Sequence, residues 1–310
     1  MMVEVLDTDL KSKESFILVT PVKNEEDNLP NLIESIVSQQ LRPDAWIIVD
    51  DHSEDKSSEI IKDAKDKYPW IFSLRLNNNS EYNLEEHYSI VCRFGFDYAK
   101  KIEPNFKYIG LSDADMIYPN NYFFQLISYL NSNLEHGLVC GDLLILNSED
   151  RCHRVSNSNI FSSSISGTGR VWRRKAFEES GGYLITKSPD SVSNVKLLLK
   201  GWKLKRLSDV VYYQTRETGN KFNIFKGYFN RGKRAYYLNS NILSVIGTVL
   251  IILFVSKEKY AIKKIIGYLF GYFHSFIHRE QKIDDKEVKK YIGSYRRVLN
   301  NYLKYFANRL

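Results

Sequence analysis

Short apolar runs rich in β-branched residues alternate with amphipathic stretches from residue 15 onwards, and this alternation limits the fold more than any other feature. Residues 16–19, 46–49 and 108–111 are apolar runs of this kind, as expected for strands that are covered on both faces. Stretches with helical spacing separate them, for example at 57–67. Strands that alternate with helices predict an α/β domain with a mainly parallel central sheet flanked by helices.

Acidic residues follow three of the predicted strands. Glu25 comes after the first strand, Asp51 after the second, and the triplet Asp113-Ala114-Asp115 after a later one. Open α/β sheets bind ligands at the carboxyl ends of their strands. Two carboxylates two residues apart can share one hard cation, and Mg²⁺ or Mn²⁺ takes one or two carboxylates together with phosphate oxygens. An isolated Asp-x-Asp is also common in helix caps and solvated turns, so this pair alone leaves both interpretations open.

Taken in order, a series of segments resembles glycosyltransferase family 2, whose members are inverting enzymes with a Rossmann-like GT-A fold. The segments are PVKNEEDNL, VDDHSED, LSDADMIYP, GTGRVWRRKAFEESGG, SPDSVSNVKLLLKGWK and TRETG. The resemblance covers about residues 15–235. It implies a GT-A domain at 1–235, with a nucleotide-binding half at 15–115 and an acceptor half at 116–235.

The resemblance implies a binding site for a nucleotide-sugar donor carrying UDP, GDP or dTDP. Pro21, Glu25 and Asp51 would line the nucleotide base and ribose. Asp113 would contact the ribose or a divalent metal ion, and Asp115 would hold that ion, Mn²⁺ or Mg²⁺, against the diphosphate. Such an ion neutralises the departing diphosphate.

The resemblance also implies residues on the acceptor side of the reaction. Asp190 would be the general base that removes the proton of the acceptor hydroxyl, although a helix cap ahead of 192–199 is the alternative interpretation of this residue. Arg173, Arg174 and Arg216 would face phosphates or the sugar. Gln214 stands where the family often has the histidine of a His-x-Arg segment, so a side chain that can bind a metal ion is missing there.

The last third of the chain differs in charge and in apolar pattern. Residues 1–200 carry 22 Lys and Arg against 30 Asp and Glu, a balance of −8, whereas residues 201–310 carry 22 against 7, a balance of +15. The longest apolar run, 242–255, is shorter than the ~20 residues of a membrane-spanning helix. Apolar residues then recur at helical spacing between 262 and 277.

These features predict that 236–310 is a helical module that docks on an anionic membrane surface without spanning it. In the alternative interpretation, its helices bury their apolar stripes against one another or against a second subunit. The polar, acidic start of the sequence has no signal-peptide pattern, so we expect the cytoplasmic face of the cell membrane. The acidic first 200 residues disfavour a nucleic-acid partner.

The functional prediction is an enzyme that transfers a sugar with inversion from a nucleotide-diphosphate sugar to a hydroxyl. The acceptor would be a glycan or a lipid-linked molecule, in the synthesis of a cell-surface polysaccharide or glycoconjugate. Two alternatives stay open. One is a polyprenyl-phosphate glycosyltransferase similar to dolichyl-phosphate-mannose synthase, and the other is an inactive membrane-bound scaffold with the same fold.

Overall fold

The computed structural model describes residues 14–76, 86–146, 152–154, 165, 167–215, 224–255, 260–295 and 297–298. The chain divides into two compact units. The N-terminal unit comprises Met1–Arg154 and Ile165–Arg216, and the C-terminal unit comprises Glu217–Leu310 together with Val155–Ser164.

One mixed sheet forms the centre of the N-terminal unit. Its described strands are β1 (Phe16–Val22), β2 (Ala45–Asp50), β3 (Ile71–Arg75), β4 (Tyr108–Leu111), β5 (Met116–Ile117), β6 (His136–Leu146), β7 (Cys152–Arg154), β8 (Arg170–Arg173) and β9 (Lys203–Gln214). They lie in the order β3-β2-β1-β4-β8-β6-β9-β5, with β7 beside β6.

The sheet is parallel in only part of its width. Strands β3, β2, β1 and β4 run parallel to their neighbours, as predicted. Strand β8 is antiparallel to both β4 and β6, and β5 is antiparallel to β9, whereas β6 and β9 are parallel. The sheet is therefore parallel in the nucleotide-binding half, as predicted. Antiparallel pairs dominate in the other half, so the prediction of a mainly parallel sheet is wrong there.

Helices cover both faces of this sheet. They are α1 (Leu29–Val37), α2 (Ser57–Lys67), α3 (His87–Ile102), α4 (Tyr122–Ser132), α5 (Arg174–Glu179) and α6 (Pro189–Leu199). Alternate residues of β1 enter different cores: Phe16 and Leu18 pack with α1, α2 and α4, whereas Ile17 and Val19 pack with α3 and α5. Burial on both faces explains why the predicted strands are apolar at consecutive positions.

The C-terminal unit is helical in its described part. Its elements are α7 (Ile224–Tyr237), α8 (Ile242–Leu250), a π-helical turn at Ile251–Val255, α9 (Ala261–Ile277) and α10 (Lys286–Gly293). Helices α7 and α9 pack backbone to backbone. A Cβ atom on Gly232 would collide with the Tyr268 carbonyl oxygen, and one on Gly271 with that of Phe229.

The division between the two compact units lies before residue 235, where the resemblance places the end of the GT-A domain. The prediction assigned residues up to 235 to the GT-A domain, whereas the units divide between Arg216 and Glu217. The reason is that α7 provides half of the close α7–α9 contact and so belongs with the helices that follow it.

The face of α9 that packs inside the unit is not its most apolar one. The buried residues of the helix are Gly267, Tyr268, Gly271, Tyr272 and Ser275. The predicted apolar stripe remains open, with side chains 44–72% exposed at Ile262, Ile266, Phe270, Phe273 and Ile277. Within the described ranges, no helix is both long enough and apolar enough to cross a bilayer.

Candidate active site

The ends of three strands meet at one edge of the sheet. Val22, the last residue of β1, is in register with Asp50, the last residue of β2. The backbone N–H of Ser112, directly after β4, donates to the carbonyl of Val19 at 3.0 Å. The acidic segments that follow these strands therefore lie side by side, as the sequence predicts.

Hydrogen bonds join the loop after β1 to the loop after β2. The backbone N–H of Asn24 donates to Ser53 Oγ at 3.0 Å, and the backbone N–H of Glu54 donates back to Asn24 Oδ1 at 2.8 Å. Both loops contain a non-glycine residue with positive φ, Asn24 at 53° and His52 at 58°. Backbone conformations of this kind persist only where surrounding contacts hold them, and they concentrate at functional sites.

Asp51 is buried in this edge beside two cationic or protonatable side chains. Nε2 of His87, the first residue of α3, lies 2.7 and 2.8 Å from the two carboxylate oxygens of Asp51. Lys23 Nζ lies 3.4 Å from Asp51 Oδ2, and its side chain is half exposed. Pro21 is partly buried near the end of β1. Asp51 and Pro21 are thus on the same edge as Asp113 and Asp115, where the predicted base and ribose site would be.

Glu25 and Asp115 are linked through the ends of β9 and α1. The side-chain amide of Asn28 donates to Glu25 Oε2 at 2.7 Å, while its carbonyl accepts from the Thr215 hydroxyl at 2.6 Å. Gln214 Nε2 donates to Asp115 Oδ2 at 2.9 Å. The glutamine thus occupies a position directly beside the carboxylate that the prediction gives to the metal ion.

Asp113 is partly buried and sits beneath the start of α3. The Tyr88 hydroxyl donates to Asp113 Oδ1, and the backbone N–H of Asp113 donates to Thr168 Oγ1, both at 2.7 Å. The pKa of the Asp113 carboxyl is raised to about 7, chiefly by burial and in part by the negative charges of Asp115 and Asp190. The Tyr88 hydrogen bond and the charge of Arg170 act in the opposite direction. Such a carboxyl is poised to ionise fully when a cation approaches.

The donor atoms at this edge suit a hard divalent cation that arrives with a diphosphate. In the part of the chain that the structure describes, no cluster of three or more His, Cys, Asp or Glu side chains is grouped to hold a metal ion. Asp113 and Asp115 supply carboxylate oxygens, and Mg²⁺ or Mn²⁺ usually completes such a pair with phosphate oxygens and water. The two residues therefore fit an ion bound together with substrate and not a preformed protein cage.

Asp190 lies in the first turn of α6, on the same side of the molecule as Asp113. The N-cap of α6 is Ser188, and Asp190 is the residue after Pro189. Its Oδ1 is 3.6 Å from a guanidinium nitrogen of Arg170. Its other oxygen rests against Gly167, where a Cβ atom would collide with it. The next residue, Thr168, accepts a hydrogen bond from the Asp113 backbone N–H, so Asp190 lies next to the acidic edge.

Two of the predicted arginines, Arg173 and Arg174, lie at the end of the sheet opposite to Asp113 and Asp115. Strand β8 runs antiparallel to β4, so Arg173 pairs with Tyr108 at the start of β4. Its guanidinium donates to the His136 carbonyl at 3.3 Å. Arg174 bonds Glu178 at 2.8 Å and lies over the Phe106 ring. Arg216 is outside the described residues.

The sequence model of glycosyl transferase family 2 matches residues 17–188, more than half of the chain. The chain belongs to glycosyl transferase family 2. The match ends just before Asp190, so this residue rests on the structure and the sequence pattern rather than on the family match.

Solved structures of other glycosyltransferases share the fold of this family 2 chain. An S. aureus TarS 1-349 structure in complex with UDP-GlcNAc has a TM-score of 0.54 at 14% identity, covering 90% of this chain and 79% of that one. The mannosyltransferase PcManGT from Pyrobaculum calidifontis, in complex with GDP-Man and Mn²⁺, has a TM-score of 0.53 at 12% identity, covering 97% and 89%. The chain spans 43% of a longer TarS structure. These likenesses identify a GT-A-like fold with a mixed sheet.

Several contacting residues of this family 2 site were not singled out by sequence reasoning. They are His87, Tyr88, Thr168 and Arg170. Each contacts an acidic residue that is 20 or more positions away in the sequence. No local pattern predicts these contacts, although Thr168 and Arg170 both lie at the start of the segment GTGRVWRRKAFEESGG that carries the family resemblance.

Proposed function

We propose that this family 2 chain transfers a sugar, with inversion, from a nucleotide-diphosphate sugar to a hydroxyl group. The acceptor is a glycan or a lipid-linked molecule in the synthesis of a cell-surface polysaccharide or glycoconjugate. The observation that carries the proposal is the position of Asp190, whose 39% exposed side chain shares an edge with Asp113 and Asp115. A base on the acceptor side and acids on the donor side are the two parts that an inverting transfer needs.

The donor binds along the acidic edge. Asp51 and Glu25 accept hydrogen bonds from ribose or base, and their own hydrogen bonds to His87 and Asn28 fix their orientation. Asp113 and Asp115 would hold a divalent ion, which when bound would offset the negative charge of the departing diphosphate. Neighbouring folds are known with UDP-GlcNAc and with GDP-Man and Mn²⁺, which supports a nucleotide-sugar donor and a divalent ion without choosing between the nucleotides.

The acceptor hydroxyl approaches from the side of α6. As its oxygen attacks the anomeric carbon, its proton passes to the Asp190 carboxylate and the bond to the diphosphate oxygen breaks on the opposite face of the sugar. The attack from the opposite face inverts the anomeric configuration. A polyprenyl phosphate acceptor is already ionised and needs no such base, so the position of Asp190 favours a hydroxyl acceptor over that alternative.

The test is a donor screen followed by product analysis. Thermal unfolding is measured with UDP-GlcNAc and GDP-mannose, each with and without Mn²⁺, and we expect one donor to raise the unfolding temperature only when Mn²⁺ is present. The anomeric configuration of the product, measured by NMR with a free hydroxyl acceptor, should be opposite to that of the donor. A product with retained configuration, or transfer only to a polyprenyl phosphate, would contradict the proposal.

We also propose that the C-terminal unit docks on the anionic cytoplasmic face of the cell membrane. Two features support it: the +12 balance of residues 217–310, which carry 18 Lys and Arg against 6 Asp and Glu, and the open apolar stripe of α9. Each Lys or Arg near an anionic surface contributes about 1 kcal/mol, and the attraction is screened beyond a Debye length of ~8 Å. Apolar side chains at headgroup depth add a contribution that salt does not screen.

Vesicle sedimentation tests this docking. The full chain should pellet with vesicles containing phosphatidylglycerol, and less with pure phosphatidylcholine or in high salt. The double substitution Ile266→Ser and Phe270→Ser should weaken pelleting at all salt concentrations. Leu134→Ser is the matched control, because Leu134 is 70% exposed but belongs to the N-terminal unit. Equal pelleting of the native protein and both variants, or no pelleting at low salt, would favour the alternative, in which the helices bury their apolar stripes against one another or against a second subunit.

A further inference from the structure

A buried arginine lies next to the residue proposed as the general base. Arg170 is the first residue of β8 and pairs with Leu111, the last residue of β4. Its side chain has no exposed surface, so it is fully removed from water at the acidic edge of the sheet. A buried guanidinium is tolerated only where charge and hydrogen-bond partners compensate for its lost hydration.

Two partners of Arg170 lie on α6. One terminal nitrogen lies 3.6 Å from Asp190 Oδ1, and the other donates to Asn194 Oδ1 at 3.5 Å. Asp190 and Asn194 are four residues apart and share one face of the helix. The guanidinium also donates to the Ile165 carbonyl at 3.4 Å and lies 5.3 Å from the centre of the Trp172 ring. Arg170 thus joins the first two turns of α6 to the central sheet.

The two oxygens of Asp190 have different surroundings. Oδ1 is buried, has no hydrogen-bond partner within the described structure, and faces the positive charge of Arg170. Oδ2 rests on Gly167, whose missing side chain leaves room for it. The Asp190 side chain is 39% exposed, so a substrate can reach its carboxylate. The Arg170 side chain beside that carboxylate has no exposed surface, so the substrate cannot contact it.

We propose that Arg170 is a positioning residue for Asp190: it fixes the carboxylate against the Gly167 backbone and keeps it facing the acceptor. The inference rests on the proposed function, because it gives Arg170 a role only through the base. The alternative is that Arg170 merely fills and stabilises the junction between β8 and α6. The two roles predict different effects of an Arg170 substitution on the transfer rate when Asp190 can no longer accept a proton. Only the positioning role predicts that this effect largely disappears.

A double-mutant cycle separates these possibilities. Transfer rate and donor dissociation constant are measured for Arg170→Gln, Asp190→Asn and the protein carrying both changes. We expect Arg170→Gln to lower the transfer rate by roughly 10-fold or more with a donor dissociation constant within about 3-fold of the native value. In the Asp190→Asn background, the same change should lower the residual rate by less than about 3-fold, since residues that act as a unit are not additive.

Controls and contrary results are defined by the same measurements. Arg173→Gln removes another arginine of β8, which contacts backbone carbonyls and the Tyr108 ring at the far end of the sheet, and should keep the native transfer rate in the folded fraction. Arg170→Lys retains the charge and replaces Arg170→Gln in the cycle if the latter does not fold. Equal losses from the Arg170 change in both backgrounds would overturn this inference alone. Full transfer by Asp190→Asn would instead overturn the proposed function and this inference with it.

Discussion

Replacing Gly167 by alanine should separate catalysis from stability. An added Cβ atom would overlap Asp190 Oδ2 and lie 3.0 Å from Asp190 Cγ, whereas ordinary contact begins at 3.4 Å. The carboxylate must therefore retreat by about 1 Å, a displacement that costs about 100-fold in rate when it affects a reacting group. This corresponds to about 2.7 kcal/mol of transition-state free energy.

The stability of the same variant should hardly change. The colliding group is the tip of a partly exposed side chain and can turn aside. Relative to glycine, alanine lowers the conformational entropy of the unfolded chain, which stabilises the folded state by about 0.4–1 kcal/mol. We therefore expect the free energy of unfolding of Gly167→Ala to stay within about 1 kcal/mol of the native value, as measured by urea denaturation followed by tryptophan fluorescence.

Gly201→Ala is the matched control because it should show the reverse behaviour. Gly201 has φ +86° and nothing within 4 Å of an added Cβ atom. The left-handed conformation costs a non-glycine residue about 1–2 kcal/mol, so this variant should lose stability and keep its transfer rate. Native transfer by Gly167→Ala, or a loss of donor affinity that matches its loss of rate, would refute the proposed contact between Asp190 and Gly167.

Three further outcomes follow from the described contacts. Gly271→Ala forces a Cβ atom into the Phe229 carbonyl oxygen and should destabilise the α7–α9 pair by at least about 1–3 kcal/mol. Gly227→Ala has open space around the added atom and should stabilise α7 by up to ~1 kcal/mol. Hydrogen exchange of the two helices measures both effects, and equal effects would contradict the packing. Asp115→Asn should lower donor turnover by orders of magnitude with unchanged far-UV circular dichroism, and full turnover of this variant in excess EDTA would exclude the metal role. Gln214→Ala removes a donor from the buried Asp115 carboxylate and should lower the free energy of unfolding by about 1–3 kcal/mol, which urea denaturation measures; an unchanged value would show that the hydrogen bond contributes nothing to stability.

The nucleotide-binding half of the fold could be predicted from local pattern. Consecutive apolar residues such as 16–19 identify strands buried on both faces, and α2 lies at the predicted 57–67. The acidic residues follow these strands directly, so parallel pairing was sufficient to bring them to one edge. In this part of the chain, local pattern and tertiary structure agree.

The positions of Arg173 and Arg174 in the sheet could not be predicted from the sequence, because strand direction is not a local property. The segment from Arg170 to Arg174 follows a glycine-rich stretch as it does in the family pattern, but β8 enters the sheet antiparallel to β4. That direction leaves Arg170 at the acidic edge and carries Arg173 and Arg174 to the other end. A reversed strand would have exchanged their positions, and nothing within the segment reveals which direction applies.

The C-terminal unit shows a second limit of pattern reasoning. Helical spacing of Ile and Phe predicted a stripe on α9, and the stripe exists, but the face packed within the described unit is lined by Gly267, Tyr268 and Gly271. Glycine permits α7 and α9 to approach until their backbones touch, and that gain in contact is not visible in a hydrophobicity pattern. The same contact groups α7 with the C-terminal unit, which follows Arg216.

Asp190→Asn tests the proposed chemistry most directly. An amide keeps the size of the side chain but cannot accept the proton of the acceptor hydroxyl. With the donor identified by the thermal screen, calorimetry should give a donor dissociation constant within a few-fold of the native value, while sugar transfer falls by orders of magnitude. Transfer that survives this substitution, with only a loss of stability, would contradict a general base at Asp190 and leave it as a structural residue of α6.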